Sequence, residues 1–458
     1  MSEEAAEPIR VASHTARCGP GTLSRIADRL GLGAVVRRIA ANAGWMGGEW
    51  VLRLFVGLPM TIWMTRYLGP NGFGDLSFAF ALVAIVTPLS ALGLDRIAVR
   101  ELVAKPSERH AVLGTVFLLR AAAAFVLYAV TVVVGALLRP GQSWMQLMVA
   151  VAAAAVFLRS FDVVDLLFQA DTANRRPVLY RSVAFGLATL LRGALILLGA
   201  PVIAFAWAFL AESFLSATAQ GIALVRAGHA WRAWRISRQA AATFLRDGWP
   251  VAIASAFILI YTRIDQVMLG QMTGSRELGV YAVAVRLVEA TYFIPSVVVA
   301  AAFPSVMEAR ALGEAALEAR LMRLYRALAL TGYLLAAGIT IGAWWAIPLL
   351  FGPAYRAAAP AAAVLAWTIP FTGLGIARGA YFTAMNWMKP YLFTVLLGCV
   401  ANVLLNLVWI PKWGAVGASL ASVVSYWIAA HGACFLYRPL WGAGRMLTRA
   451  LLRPGIAR

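Results

Sequence analysis

Apolar residues arrive along this chain in long, nearly unbroken runs, and short polar clusters separate them. Twelve runs can be drawn, at 42–68, 73–95, 111–138, 142–168, 178–199, 201–226, 247–272, 278–303, 325–351, 357–385, 390–411 and 414–437. Each reaches the ~20 residues that carry a helix through ~30 Å of hydrocarbon. Helices of a soluble core are shorter and keep a polar face, which these runs lack. Glycine and proline punctuate the joins, as at Gly69-Pro70-Asn71-Gly72, Arg139-Pro140-Gly141, Gly199-Ala200-Pro201, Gly352-Pro353 and Pro411-Lys412-Trp413-Gly414, and all of these read as turns. Pro370, followed by Gly373 and Gly375, predicts a break inside the tenth run.

Threading the chain back and forth through these runs sorts its basic residues. One side receives the N-terminal arginines, then Arg96, Arg100, Lys105 and Arg109, then Arg175, Arg176 and Arg181, the Arg226–Arg246 connection, the Pro304–Leu324 connection, Lys389 and the C-terminal arginines. The other side receives only Arg66, Arg139, Arg276, Arg356 and Lys412. Positive residues mark the cytoplasmic side, so both termini are expected there, and one run more or fewer would scramble the alternation. The expected organisation is a basic tail (1–41), a six-helix lobe (42–227), a linker (228–246), a second six-helix lobe (247–438) and a basic tail (439–458). Within the first tail, Leu23–Ile39 interleaves apolar residues with Arg25, Arg29, Arg37 and Arg38, as an interfacial helix or a partly ordered tail would.

The lobes carry a faint repeat. Gly44-Trp45 matches Gly248-Trp249, and Phe73-Gly74-Asp75-Leu76 matches Leu278-Gly279-Val280-Tyr281, at an offset of 204–205 residues. Repeats of an even number of helices are related by an axis along the membrane normal, with a substrate path between them.

Composition narrows the chemistry. The 458 residues are 62% hydrophobic and 13% charged, with mean hydropathy +0.77, whereas a water-facing domain carries roughly 25% charged residues. The net charge of +20 would suit nucleic acid only on a basic face of a soluble module, and here it sits between apolar runs. Cys18, Cys399 and Cys434 are scattered, as are the four histidines, so neither a disulfide framework nor a metal site is indicated. Lys105, Lys389 and Lys412 are the only lysines and none follows a glycine, so the chain holds no phosphate loop of its own. It is expected to be a transporter without cofactor, driven by a substrate gradient, a partner, or coupling H⁺ or Na⁺.

Ionisable groups inside the runs are the candidate machinery, because each costs ~2.5–3.5 kcal/mol at a helix centre. Glu49 and Arg53 at i,i+4, Arg159 and Asp162 at i,i+3, and Arg286 and Glu289 at i,i+3 are spaced to neutralise one another on a helix face. Arg263 and Asp265 point to different faces, and Arg120, Arg192 and Arg378 have no acid within one turn. The guanidinium fork fits phosphate oxygens with paired hydrogen bonds. A cationic lumen of Arg53, Arg120, Arg192, Arg263, Arg286 and Arg378 is therefore expected to take a diphosphate or acidic sugar, while Glu49, Asp265 and Glu289 are candidates for ion coupling or pairing. Trp63, Trp207, Trp367, Trp387, Trp409, Trp413 and Trp427 read as an interfacial belt.

Several stretches bear a family resemblance. Tyr67-Leu68-Gly69-Pro70-Asn71-Gly72-Phe73-Gly74, Leu92-Gly93-Leu94-Asp95-Arg96 and Arg263-Ile264-Asp265-Gln266-Val267-Met268-Leu269-Gly270 are similar to segments of the Wzx-type polysaccharide biosynthesis transporters. So are Asn402, Leu405-Asn406, Pro411 and Gly414-Ala415-Val416-Gly417-Ala418. These are oligosaccharide flippases of the multidrug/oligosaccharidyl-lipid/polysaccharide (MOP) superfamily. The resemblance implies a MATE-like fold, two lobes around a central cavity, in a monomer of the bacterial inner membrane. It implies flipping of undecaprenyl-diphosphate-linked glycan by alternating access, with membrane lipids and polysaccharide-assembly enzymes as partners and no nucleic acid. Arg263, Ile264 and Asp265 match the family's Arg-Ile-Asp signature. Two alternatives stand beside it. A MATE-like ion-coupled exporter would recognise cations, which the excess of arginine disfavours, and a membrane glycosyltransferase or polymerase would need a sizeable outside loop.

Overall fold

A computed structural model describes residues 34–171, 175–385 and 387–455, and the predicted Leu23–Ile39 helix lies largely outside them. Among the described residues the chain is helical throughout, with no strand. The first lobe contains α1 (Ala34–Ser90), α2 (Asp95–Ala104), α3 (Arg109–Leu138), α4 (Ser143–Leu158), α5 (Val163–Ala170), α6 (Arg175–Leu197) and α7 (Val202–Arg226). The second contains α8 (Arg238–Met272), α9 (Ser275–Glu289), α10 (Phe293–Ala311), α11 (Glu314–Phe351), α12 (Ala358–Leu365), α13 (Thr368–Ala384) and α14 (Met388–Ala430), followed by α15 (Trp441–Leu452). Ten stretches of helix among the described residues are long and apolar enough to cross a membrane.

Two of those ten are double length. α14 has 43 residues and breaks at Gly414, φ +51°, where it folds back on itself. Asn402 Nδ2 donates to Ser425 Oγ at 3.0 Å across the fold, and a Cβ on Gly398 would meet Ala429 Cβ at 2.5 Å. α1 has 57 residues and breaks at Gly69, φ +64°. Its two ends, at Glu49 and Pro88, line one cavity. In both cases a single glycine in the left-handed region makes the turn, as such backbone favours, and Pro70 restarts the helix with a φ already suited to its first position.

Three expectations about breaks are corrected. α13 runs through Gly373 and Gly375, and the interruption falls earlier, at Ala366–Trp367. Pro370 then lies in the first helical turn, where no amide hydrogen bond is lost. The Pro304–Leu324 connection is mostly helix, with a short break at Leu312-Gly313. The connection between lobes shrinks to 227–237, because α8 begins at Arg238 with Ser237 as its cap, accepting from Ala240 N at 3.3 Å.

Three apolar cores hold the bundle. One joins both lobes and includes Phe73, Leu76, Phe78, Leu278, Tyr281, Val283, Ile347 and Tyr355. The other two lie toward the end that carries the 227–237 connection, here the basic end. One is built on Leu94, Leu102, Leu113, Val163 and Phe244, the other on Val299, Leu321, Leu374, Phe382 and Leu447. The lobes thus share a core at the far end, while at the basic end there are two smaller cores, of which the one on Leu94 also takes in Phe244 of α8.

The far end is closed by backbone contact. A Cβ on Gly74 would meet Ser275 O at 1.7 Å and Gly279 N at 2.9 Å, and one on Gly279 would meet Pro70 O at 1.9 Å and Gly74 N at 3.1 Å. The contact is reciprocal between positions that the sequence repeat pairs. Around it, Tyr355 Oη donates to Thr65 O at 2.9 Å and Arg139 Nη2 to Gly270 O at 2.6 Å.

Candidate functional site

Four adjoining spaces, each sharing wall residues with the next, run inward from the basic end. A vestibule of about 950 Å³ lies between α1, α2, α8 and the start of α14. Pro88, Ala91 and Asp95 are shared between its wall and that of a 610 Å³ cavity within the first lobe. Phe209 lines that cavity and also two inner chambers, of about 400 and 290 Å³, which share Arg286.

Helix spacing builds the charge network of the first-lobe cavity. Arg53 donates through Nε and Nη2 to Glu49 Oε1, both at 3.2 Å, across one turn of α1. Arg181 of α6 reaches Glu49 Oε2 at 2.7 Å and also pairs with Asp165 of α5. Arg53 Nη1 lies 3.6 Å from Glu212 Oε1 of α7, and Glu212 is held in turn by Arg192 of α6. The result is an alternating chain, Asp165–Arg181–Glu49–Arg53–Glu212–Arg192, strung across four helices. Arg120, buried in α3, pairs with Asp95 of α2. Asp162 accepts from Gln220 Nε2 at 2.7 Å. Apart from Arg159, which also reaches this wall, each of these charges has its counter-charge or donor, which offsets the cost of desolvating it.

The innermost chamber differs. Its wall carries Arg159, Arg263 and Arg286 and no carboxylate. Arg263 holds Glu289 in a two-pronged pair, at 2.9 and 3.1 Å. Among the described residues, neither Arg159 nor Arg286 has a carboxylate within ion-pair distance. Both side chains are accessible because they open onto the internal space. They come from opposite lobes, Arg159 from the short turn between α4 and α5 and Arg286 from α9. Two guanidinium groups inside the bundle without a salt bridge are a standing cost that an anion in the chamber would relieve.

Residues 41–310, more than half the chain, match the family described as polysaccharide biosynthesis protein. The chain belongs to that family. Family and fold are those of membrane transporters, not of enzymes. Solved structures with this fold include the lipid II flippase MurJ in an inward closed conformation (13% identity, 90% of each chain covered, TM-score 0.69). An inward-facing multidrug resistance MATE transporter of the MOP superfamily also matches (17% identity, 87% of this chain and 95% of that one, TM-score 0.64). A third is a MOP superfamily transporter from Pyrococcus furiosus (16% identity, 90% and 96%, TM-score 0.60). Among curated proteins no significant match is found.

In this family member, the residues singled out from sequence separate into three groups. Arg53, Arg120, Arg192, Arg263 and Arg286, with Glu49 and Glu289, all face the adjoining spaces. Most are paired, however, so the expected uniformly cationic lumen is cationic only at its inner end. Arg378 lies elsewhere, fully buried in the second lobe. It donates to Ala429 O at 2.6 Å, Thr394 Oγ1 at 3.0 Å and Cys434 Sγ at 3.1 Å, a role in tying α13 to α14. Asp265 is also away from these spaces. It accepts from Gln266 N at 2.7 Å, Ser422 Oγ at 3.1 Å and Tyr281 Oη, beside the Asn402–Asn406 pair.

Two arginines escaped the sequence reading of the site. The charge pattern groups Arg181 with the basic residues between the fourth and fifth runs, but α6 starts at Arg175 and carries it inside. Arg159 was matched with Asp162, whose carboxylate Gln220 of α7 occupies instead. The expected Arg286–Glu289 pair is likewise displaced by Arg263. The nearby signal for Arg181 was its spacing from Arg175 and Pro177, which marks a helix start and not a loop.

Proposed function

We propose that this protein flips an undecaprenyl-diphosphate-linked oligosaccharide across the bacterial inner membrane, with the basic end and both termini in the cytoplasm. One observation carries the reading: Arg159 and Arg286, from opposite lobes, share a chamber without a carboxylate on its wall. A diphosphate between them would accept the paired, charge-assisted hydrogen bonds for which guanidinium groups are suited.

The head group enters through the vestibule while the polyprenyl chain remains in lipid. Binding draws the two lobes together at the basic end, since each supplies one of the two cations. The Gly74–Gly279 contact at the far end is then the part that opens, and α1 and α14 each count as two of twelve crossings. A cargo drives such a change only by binding one conformation more tightly than the other, and closure over the anion supplies that difference. Of the three carboxylates considered for coupling, Glu49 and Glu289 are held by arginines. Asp265, whose hydrogen-bond donors Gln266 N, Ser422 and Tyr281 are all neutral, is the one retained for H⁺ or Na⁺.

The carboxylates of the first-lobe cavity favour a second reading, an exporter of organic cations. Glu49, Asp165 and Glu212 are already neutralised, which places it second. The two separate in proteoliposomes carrying a fluorescent polyprenyl-diphosphate sugar. Arg159→Ala and Arg286→Ala are each expected to slow its translocation at least tenfold. Unchanged translocation in both variants refutes the assignment.

A further inference from the structure

We propose that the 950 Å³ vestibule is a carbohydrate-recognition site, reading the sugars of the cargo before its diphosphate reaches the inner arginines. The proposal rests on the reading of the cargo as a lipid-linked glycan and adds which part of the protein distinguishes one glycan from another.

The vestibule is chemically unlike the spaces behind it. Its wall carries Trp249, Trp387 and Tyr391, where the inner chambers have only phenylalanine rings. Its wall mixes both signs of charge, Asp95 and Asp247 with Arg96 and Lys389, the two carboxylates being paired with Arg120 and Arg246. A pyranose ring has an apolar C–H face that packs on an indole or phenol ring and a rim of hydroxyls that donate and accept. Tryptophan and tyrosine pair an apolar body with a polar tip, and carboxylates accept from hydroxyls while lysine and arginine donate to them. The volume stands at the upper end of the ~300–1,000 Å³ of small-molecule sites, enough for more than one sugar ring.

The rings are held in place. Trp387, expected from sequence in a lipid-facing belt, packs against Phe382 at 5.8 Å and Tyr381 at 6.3 Å between centroids, and its amide donates to Phe382 O at 2.8 Å. Tyr391 packs on Gly379, where a Cβ would meet its Cε2, Oη and Cζ at 3.2–3.5 Å. Trp249 follows Gly248, which packs so closely on the Leu92 carbonyl that a Cβ would sit 2.6 Å from it. Trp249 is nonetheless 56% exposed and Trp387 42%, and both rings border the open space.

Native mass spectrometry of the full-length protein in nanodiscs tests this. The probes are undecaprenyl diphosphate and the undecaprenyl-diphosphate oligosaccharides extracted from the producing bacterium. The wild type is expected to prefer the glycosylated lipid. Trp249→Ala and Trp387→Ala are each expected to weaken its binding about 3–10-fold and to leave undecaprenyl diphosphate within twofold, while the phenylalanine variants restore most of the preference. Arg286→Ala is expected to weaken both probes. Equal loss of both probes in the tryptophan variants, no loss of either, or no preference in the wild type overturns the sugar site. Failure of the wild type to bind either probe refutes the lipid-linked cargo itself, and the sugar site with it.

Discussion

Replacing Gly74 by alanine adds one methyl group at the point where the lobes touch most closely. Its Cβ would lie 1.7 Å from Ser275 O, so the crossing must widen by about 1.5–2 Å to restore ordinary contact distance. The atom struck is backbone on α9, so no side chain can swing aside. Overpacking of this kind costs about 1–3 kcal/mol. The cost falls on the conformation closed at the far end and is absent once that end opens. At ~1.4 kcal/mol per tenfold, the open-to-closed ratio should rise roughly 10–100-fold. Spin labels at Asn71→Cys and Arg276→Cys, exposed positions flanking the contact, report the separation by pulsed EPR in nanodiscs. The parent should give one short distance, and Gly74→Ala a longer one as a major population. Gly338→Ala, where nothing lies within 4 Å of the added carbon, is the control and should match the parent. A folded Gly74→Ala protein with the parent's distance distribution refutes the reasoning.

Two further outcomes follow from the same geometry. Arg378→Met should destabilise the protein by about 2–4 kcal/mol, since it strips donors from the buried Ala429 carbonyl and Thr394. The folded fraction should bind undecaprenyl diphosphate within twofold of the parent, and a selective loss of binding without a lower melting temperature would contradict the structural role. The connection between lobes should loosen in acid. Burial holds the His229 imidazole below its ordinary 6.5, with Asp171 opposing and His110 and Arg109 reinforcing. A depressed histidine favours the neutral form, so its contribution is present above pH 6.5 and is lost as pH falls through the folded value. Protection factors over 228–237, with the intrinsic exchange rate at each pH divided out, should therefore fall between pH 7.5 and 5, and His229→Asn should abolish that dependence.

What the sequence made legible follows the range of the forces involved. Runs of apolar residues and glycine turns are local, and the structure follows them, down to the Gly69 and Gly414 breaks. The faint repeat proved more informative than its apolar content suggested, because the positions it aligned, Gly74 and Gly279, are the ones that touch. Ion pairing was legible only within one helix turn. Glu49–Arg53 forms as its spacing implies, but the partners of Arg181, Arg192 and Arg263 lie on other helices, and Arg159 and Arg286 lost their expected partners to Gln220 and Arg263. Which cations stay unpaired is thus a property of the packed bundle. Near-neighbour spacing cannot supply it.

Two guanidinium groups from opposite lobes, Arg159 and Arg286, are proposed to hold the diphosphate. Equilibrium binding of undecaprenyl diphosphate and of undecaprenol to the protein and to its Arg159→Gln, Arg286→Gln double variant measures this directly. The parent should prefer the diphosphate lipid by at least 100-fold, and the double variant should lose most of that preference while still binding undecaprenol. Equal preference in the parent and the double variant would contradict it.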